Sequence, residues 1–323
     1  MRILDSLSKA VFCGVIMFTG LLANASSFPN KPITLIVPYA AGGGTDAVGR
    51  VLASEMEKSL GQPVNVVNRT GGNGVAGTAV MATAKADGYT LGVITVEQTQ
   101  HKTMGLLSYD LLEVFAPLAL VNRDSVSVFV SADSPYKSLG DLISASRDKT
   151  LVASGAATGG IYHLALAGML LSVDLEPSTI RWVPSNGAMP ALQDLVSGGI
   201  QAVAATLPEA RSLVEAGRVR PLAIMASERS SMNPDVPTLK ESVDSPWVMS
   251  NWRGIVAPKG VPAEVAHKLA DAVTAAVRSE AYQDFLEKRG FGGAFADSTE
   301  FGELMLKSGS DLTEVAKTSG IAK

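Results

Sequence analysis

The segment Ile33–Gly49, ITLIVPYAAGGGTDAVG, most narrows the folds open to this chain. The apolar run Ile33 to Val37 predicts a buried strand. Pro38, Tyr39, Ala40 and Ala41 then lead into three glycines, Gly42, Gly43 and Gly44. Thr45 and Asp46 are helix N-cap candidates, and Ala47 to Leu60 carries a helical apolar pattern. Strand, glycine loop and helix start make an anion-receiving arrangement. Unpaired backbone N–H groups point outward, glycines let a ligand approach the main chain, and the helix dipole favours negative charge.

The unit occurs twice. Leu151–Ser154 predicts a strand, Gly155-Ala156-Ala157-Thr158-Gly159-Gly160 a glycine loop, and Ile161 to Leu171 a helix. Around the first unit, strands are expected at Val64–Val67, Tyr89–Thr95 and Phe115–Val121, with a helix from Val75 to Lys85 and an irregular stretch from Glu97 to Ser108. Around the second, strands are expected at Val126–Val130, Thr179–Val183, Gln201–Ala205 and Val219–Ala226. Helices should open at Ser138 and cover Met189–Val196 and Pro208–Ala216. Alternation of strands and helices predicts parallel α/β architecture. Asn233–Pro246, with three prolines, reads as a linker. A short strand, Gly254–Ala257, and helices over Pro262–Arg278, Ala281–Lys288 and Thr299–Thr318 close the chain. Helices need a sheet to cover, so the tail is expected to return to the first unit. The expected division is residues 26–123 plus 248–323 in one lobe and 124–247 in the other. A glycine loop would then face the cleft from each side, outside the carboxyl ends of the strands.

The N-terminus predicts export. Arg2 and Lys9 form a basic start, Ala10–Leu22 an apolar run too short to span a bilayer, and Ala23-Asn24-Ala25 a cleavage signal. Residues 1–25 are read as a signal peptide cleaved near Ala25, and the protein as periplasmic. The full chain has a net charge of −4, and losing Arg2, Lys9 and Asp5 makes it −5. Without basic blocks, nucleic-acid binding is not expected. Cys13, the only cysteine, falls inside the apolar run, so no disulfide, thiolate or cysteine metal site is expected. No cofactor and no metal are expected, and the protein is read as a monomer.

Gly42-Gly43-Gly44-Thr45-Asp46-Ala47 formally fits a dinucleotide fingerprint. That reading needs an acid at the end of the second strand to hold a ribose, and Asn68-Arg69 stands there. Ser154 and Ser185 lie outside any nucleophile motif, so no catalytic residues are expected. His163, one turn into its helix, suits packing or capping more than ligation. Asp46 suits helix capping, though it could take a ligand ammonium, so an amino-acid ligand stays open. Glu97 faces either the cleft or solvent. Arg253 either grips a carboxylate bidentately or makes a structural ion pair.

Taken together, FPNKPITLIVPYAAGGGTD (28–46), VVNRTGGNGVAG (66–77), ADGYTL (86–91), GAATGGIYHLALAG (155–168), VPSNGAMPALQDLVSGG (183–199), LPEARSLVEAGRVRPLAIMASER (207–229), VPTLKE (236–241) and WRGIVAPKGVP (252–262) resemble, in order and spacing, the periplasmic solute-binding receptors of tripartite tricarboxylate transporters, the Bug family. The resemblance implies a two-lobed type II periplasmic-binding fold and capture of a small di- or tricarboxylate or related organic acid. It implies delivery to a large and a small membrane subunit; a sensory role feeding a membrane kinase, or an exported enzyme on the same fold, are the alternatives. It implies ligand contacts from Tyr39, Ala41, Gly42, Gly43, Gly44, Thr45 and Asp46 on one side, to which Glu97, placed after the third strand, is added as a candidate. From the other come Ser154, Ala156, Thr158, Gly159, His163, Asn186, Gly187 and Thr206. Ala156-Ala157 stand where many relatives carry hydroxyl or glycine residues, and Ala204-Ala205 where relatives often place a polar residue, so backbone donors should carry more of the recognition.

Overall fold

The computed structural model describes residues 28–231 and 233–322. The expected signal peptide and Cys13 lie outside that range. β1 (Ile33–Val37), β2 (Val64–Asn68) and β3 (Thr90–Thr95) pair in parallel in the order β2-β1-β3. They are joined by α1 (Gly44–Leu60) and α2 (Val75–Ala82). The alternation of a strand decides the packing. Ile33, Leu35 and Val37 meet Val48, Leu52 and Met56 of α1 on one face, whereas Ile36 joins the core on the other. Gly61 ends α1 in the left-handed region, φ 65°, with its N–H on Glu57 O.

After β3 the chain makes a 3-10 turn, Val96–Gln100, that overlaps the start of the stretch expected to be irregular, then α3 (Leu111–Val114) and β4 (Phe115–Ser131). The sequence predicts two strands where β4 is one strand of 17 residues. The polar residues 122–125 imitate a break. They continue the strand because their backbone pairs with β9 (Ser250–Pro258), Arg123 opposite Trp252 and Ser125 opposite Ser250, and because Asn122 and Asp124 find a buried side-chain partner on that strand.

Beyond Ser125, β4 pairs with β7 (Ala202–Thr206) and β8 (Val219–Ile224). β5 (Leu151–Ser154) lies parallel between β6 (Ile180–Trp182) and β7. Here the helices are α4 (Leu139–Asp148), α5 (Ile161–Leu171), α6 (Ala188–Val196), α7 (Leu207–Glu215) and α8 (Leu239–Val243). α8 sits in the stretch expected to be a linker. Its reciprocal Thr238–Glu241 capping box outweighs the flanking prolines.

The tail is α9 (Ala263–Val277), α10 (Glu280–Arg289), β10 (Gly293–Ala296) and α11 (Ser298–Thr318). β10, absent from the sequence reading, pairs with β4. α9 covers α1, and α11 carries Phe301, Met305 and Leu312 into the same apolar cluster as Leu164 and Met169 of α5. The expectation of a parallel sheet needs correction at its centre. The order is β2-β1-β3-β9-β4-β7-β5-β6, and the pairings of β9 and β4 are antiparallel because the chain returns from the second half directly alongside its outgoing strand. The result is a two-lobed α/β molecule. The expected boundaries, 123/124 and 247/248, fall within β4 and just ahead of β9. Among the described residues no helix is long and apolar enough to cross a membrane.

Candidate functional site

A cleft of about 830 Å³ runs between the lobes. The first residues of α1, α5, α6 and α7 all reach its wall, through Gly44, Ile161, Ala188 and Pro208. Helix N-termini carry partial positive charge and unpaired N–H donors. Which of them remain open therefore decides what the cleft can hold.

The N-terminus of α1 is open. Gly43, at φ −74° and ψ 170°, is its N-cap, and no side chain caps it. Gly42, Gly43, Gly44 and Thr45 line the cleft. Thr45 and Asp46, N-cap candidates by sequence, lie inside the first turn. Asp46 is 2% exposed and sits beneath the loop rather than on the cleft wall. Its Oδ2 accepts from the Gly42 N–H at 2.8 Å and Arg50 Nε at 2.9 Å, and its Oδ1 from Asn68 Nδ2 at 2.8 Å. Burial alone would raise the Asp46 pKa, but Arg50, the Gly42 N–H and the Asn68 amide outweigh it and hold the carboxyl below its ordinary value. Asn68 also donates to Tyr39 O at 2.9 Å. The residue that argued against a ribose site is thus the tie that fixes the loop. Ala41 points to solvent outside the cleft, at the bend Asp46 imposes.

Behind the loop stands Arg253, 5% exposed. It lies within β9, not ahead of it. Its Nε donates to Thr45 Oγ1 at 3.0 Å, and its Nη1 to Asp124 Oδ2 at 2.7 Å and to Asn122 Oδ1. The guanidinium lies over the Phe291 ring at 5.5 Å. Among the described residues Nη2 has no hydrogen-bond partner, and Arg253 lines the cleft. The structural ion pair of the sequence reading is present; with Nε and Nη1 engaged, Nη2 alone stays open, so no second nitrogen is free for a bidentate grip.

Glu97 reaches across. Tyr39 Oη donates to its Oε2 at 2.9 Å and shares a hydrogen bond with Thr95 Oγ1 at 2.9 Å. Its Oε1 accepts from the Ile161 N–H at 3.5 Å, so a carboxylate from the turn after β3 sits at the start of α5. Burial raises the Glu97 pKa, and the nearby Glu209 adds to this against the hydrogen bonds from Tyr39 and Ile161. Burial, then the Glu97 carboxylate, push the Tyr39 phenol well above its ordinary value, so it stays a donor.

The second glycine loop is largely turned inward. Ser154 is 2% exposed, and a Cβ on Gly155 would come within 2.4 Å of Ala204 O. The Gly159 N–H donates to His163 Nδ1 at 3.0 Å, and Gly159 O accepts from Gln100 Nε2 at 3.0 Å. His163 stacks on Trp182, with ring centroids 4.7 Å apart, and burial lowers its pKa to about 4. A neutral imidazole capping a loop N–H matches the packing-or-capping reading of this histidine. Of this jaw, Ala156 lines the cleft; Ser154, Thr158, Gly159 and His163 do not. Ser154 and Gly159 are buried beneath the loop, Thr158 faces solvent, and His163 is held by Gly159 and Trp182.

Asn186 and Gly187 line the cleft ahead of α6, whose N-cap Gly187, φ 124°, has no side-chain cap. Thr206 is 2% exposed and does not reach it. Instead its N–H and Oγ1 donate to Glu209 Oε2 at 3.0 and 2.8 Å, a capping box that turns Glu209 back over the start of α7. Tyr162 Oη donates to the same oxygen. Glu209, Tyr162, Asn251, Arg289 and Phe291 also line the wall and were missed by sequence reasoning. Only Glu209 carried a local signal, the T-x-x-E spacing from Thr206.

Two α/β lobes whose helix N-termini converge on the cleft between them define a ligand-capturing protein of the periplasmic-binding class. The model of the tripartite tricarboxylate transporter family receptors matches residues 48–315, and the chain belongs to that family of periplasmic solute-binding receptors. It is 32% identical over 274 residues to protein BugT of Bordetella pertussis, covering 83% of this chain and 82% of that one. Among solved structures, it resembles MatC of Rhodopseudomonas palustris with bound malate, at TM-score 0.75 and 28% identity, covering 89% of this chain and 99% of that one. A second protein of that organism, solved with adipate, gives TM-score 0.80 and 28% identity, covering 91% and 99%.

Proposed function

We propose that this receptor captures a small organic carboxylate in its cleft as a periplasmic monomer, after cleavage near Ala25, and hands it to the membrane subunits of a tripartite transporter. The observation that carries the reading is the pairing, on one wall, of the uncapped N-terminus of α1 with the unpartnered Nη2 of Arg253. Backbone N–H groups and a guanidinium edge are the donors a carboxylate takes up. Asn186 and Gly187, at the uncapped start of α6, meet the ligand from the other wall, with Tyr39 and Ala156 at the sides. Residues 26–123 plus 248–323 and residues 124–247 move as the two lobes, and ligand shifts them toward the closed arrangement. The relatives solved with malate and adipate support this ligand class.

Gly43→Val tests the site. Gly43 has an ordinary extended φ, and an added Cβ would meet only Ala40 O, at 3.4 Å. The fold accepts the side chain while it crowds the α1 donors. Gly42, at φ 83°, would confound strain with binding. Calorimetric titration of ligand-free protein with L-malate, succinate, glutarate, adipate and their 2-amino counterparts should show binding by at least one, abolished in Gly43→Val. Equal affinity in the variant would place the ligand elsewhere.

A further inference from the structure

The charges around the cleft do not suit a ligand that is all anion. Arg253 is offset by Asp124, its buried partner at 2.7 Å. The exposed Arg289 and two carboxylates, Glu97 and Glu209, also line the cleft. Two of the four helix N-termini are already answered by those same carboxylates: Glu97 Oε1 lies on the Ile161 N–H of α5, and Glu209 Oε2 caps α7. The starts of α1 and α6 remain open to a ligand anion. A di- or trianion would bring its second charge toward Glu97 and Glu209 in a partly desolvated cleft, where like charges repel strongly.

Glu209 is set up differently from Glu97. Its Oε2 accepts from the Thr206 N–H, Thr206 Oγ1 and Tyr162 Oη. Its Oε1 has no partner among the described residues, on a side chain that lines the cleft. All three donors hold one oxygen, so the carboxylate is fixed in place with the other oxygen presented. The position is preorganised to accept from a ligand. Elsewhere in the lining, Arg253 Nη2 is, among the described residues, the unpartnered donor of a side chain that is 6% exposed. The cleft lining thus offers open donors to an anion at one place and a fixed carboxyl oxygen to a donor at another.

The geometry points to a zwitterionic ligand: an amino acid or related ammonium carboxylate, its carboxylate on the α1 start and Arg253, its ammonium on Glu209 Oε1. This rests on the receptor reading above and sharpens it, making Glu209 a specificity-determining residue.

Matched pairs test it without any variant: succinate against L-aspartate, glutarate against L-glutamate, and adipate against L-2-aminoadipate, each titrated calorimetrically into ligand-free protein. In at least one pair the ammonium member should bind about tenfold tighter or more, as expected of a charge-assisted hydrogen bond. Glu209→Gln keeps an amide oxygen for the α7 cap and should reverse the order, weakening the amino acid and strengthening the diacid. Diacids binding as tightly as their amino counterparts would overturn the zwitterion assignment and leave the carboxylate receptor standing. So would a Glu209→Gln protein that keeps the full ammonium preference. Binding of none of the six compounds would overturn the carboxylate reading and this inference with it.

Discussion

Arg253 and Asp124 form an ion pair at 2.7 Å, with side chains 6% and 1% exposed, between the two strands that carry the chain from one lobe to the other and back. Asp124 Oδ1 also accepts from the Gly292 N–H at 2.7 Å, so one carboxylate ties β4, β9 and the approach to β10 together. Breaking such a pair from one side strands the other charge in the interior. Asp124→Ala should therefore lose about 3–5 kcal/mol of unfolding free energy in a denaturant titration. Asp124→Asn, which keeps an acceptor for Gly292, should lose less. Equal losses would show that the charge is not what matters.

The glycine loop is held from beneath by Asp46 and Asn68, joined at 2.8 Å. Each should cost about 1–2 kcal/mol when replaced by Ala, and the double variant should fall short of the sum by about 1 kcal/mol, because the second removal finds its partner already gone. Additive losses in a double-mutant cycle would mean the two act independently. The lowered Asp46 pKa carries a sign of its own. The stability it adds is present above the ordinary aspartate range and is lost as pH falls through the lowered value.

Glu97 should act in the opposite sense. Its pKa is raised by burial, so the folded protein holds that proton more tightly than the unfolded chain does. The contribution is fully present below the ordinary glutamate value and is lost as pH rises through the raised one. Subtracting the pH–stability curve of Glu97→Gln from that of the parent should expose a decline over that window. A flat difference curve would rule it out.

His101 and His163 both have pKa values lowered by burial to about 4 from an ordinary 6.5. Each favours the folded state while neutral. That stability is present above pH 6.5 and is lost as pH falls toward about 4. His101 is 1% exposed. His101→Phe should flatten part of the acid slope, whereas His163→Phe should in addition release the Gly159 N–H and loosen the second loop. Hydrogen exchange at Gly159 separates the two, and unchanged protection there in His163→Phe would refute the capping role.

What the sequence determined was local. Ile33–Val37, the glycines and the α1 pattern specify strand, loop and helix through alternation, φ freedom and 3.6-residue periodicity, all felt within a few residues. The same holds at Leu151–Leu171, so two units and a cleft are legible in the amino-acid sequence alone, as is the membership carried by motif order. Tertiary structure decided which polar groups remain unused. The family resemblance implies ligand contacts from Asp46, Thr206, Gly159 and His163, yet neighbours in the fold take up their hydrogen bonds. Arg253 and Glu209 keep one open nitrogen and one open oxygen only because Asp124, Thr45, Thr206 and Tyr162 occupy the rest. That allocation depends on residues as far apart in the chain as Thr45 and Arg253, which no local pattern brings together. β4 obeys the same rule: residues 122–125 are polar enough to look like a break, and only the buried guanidinium of a distant strand makes them continuous.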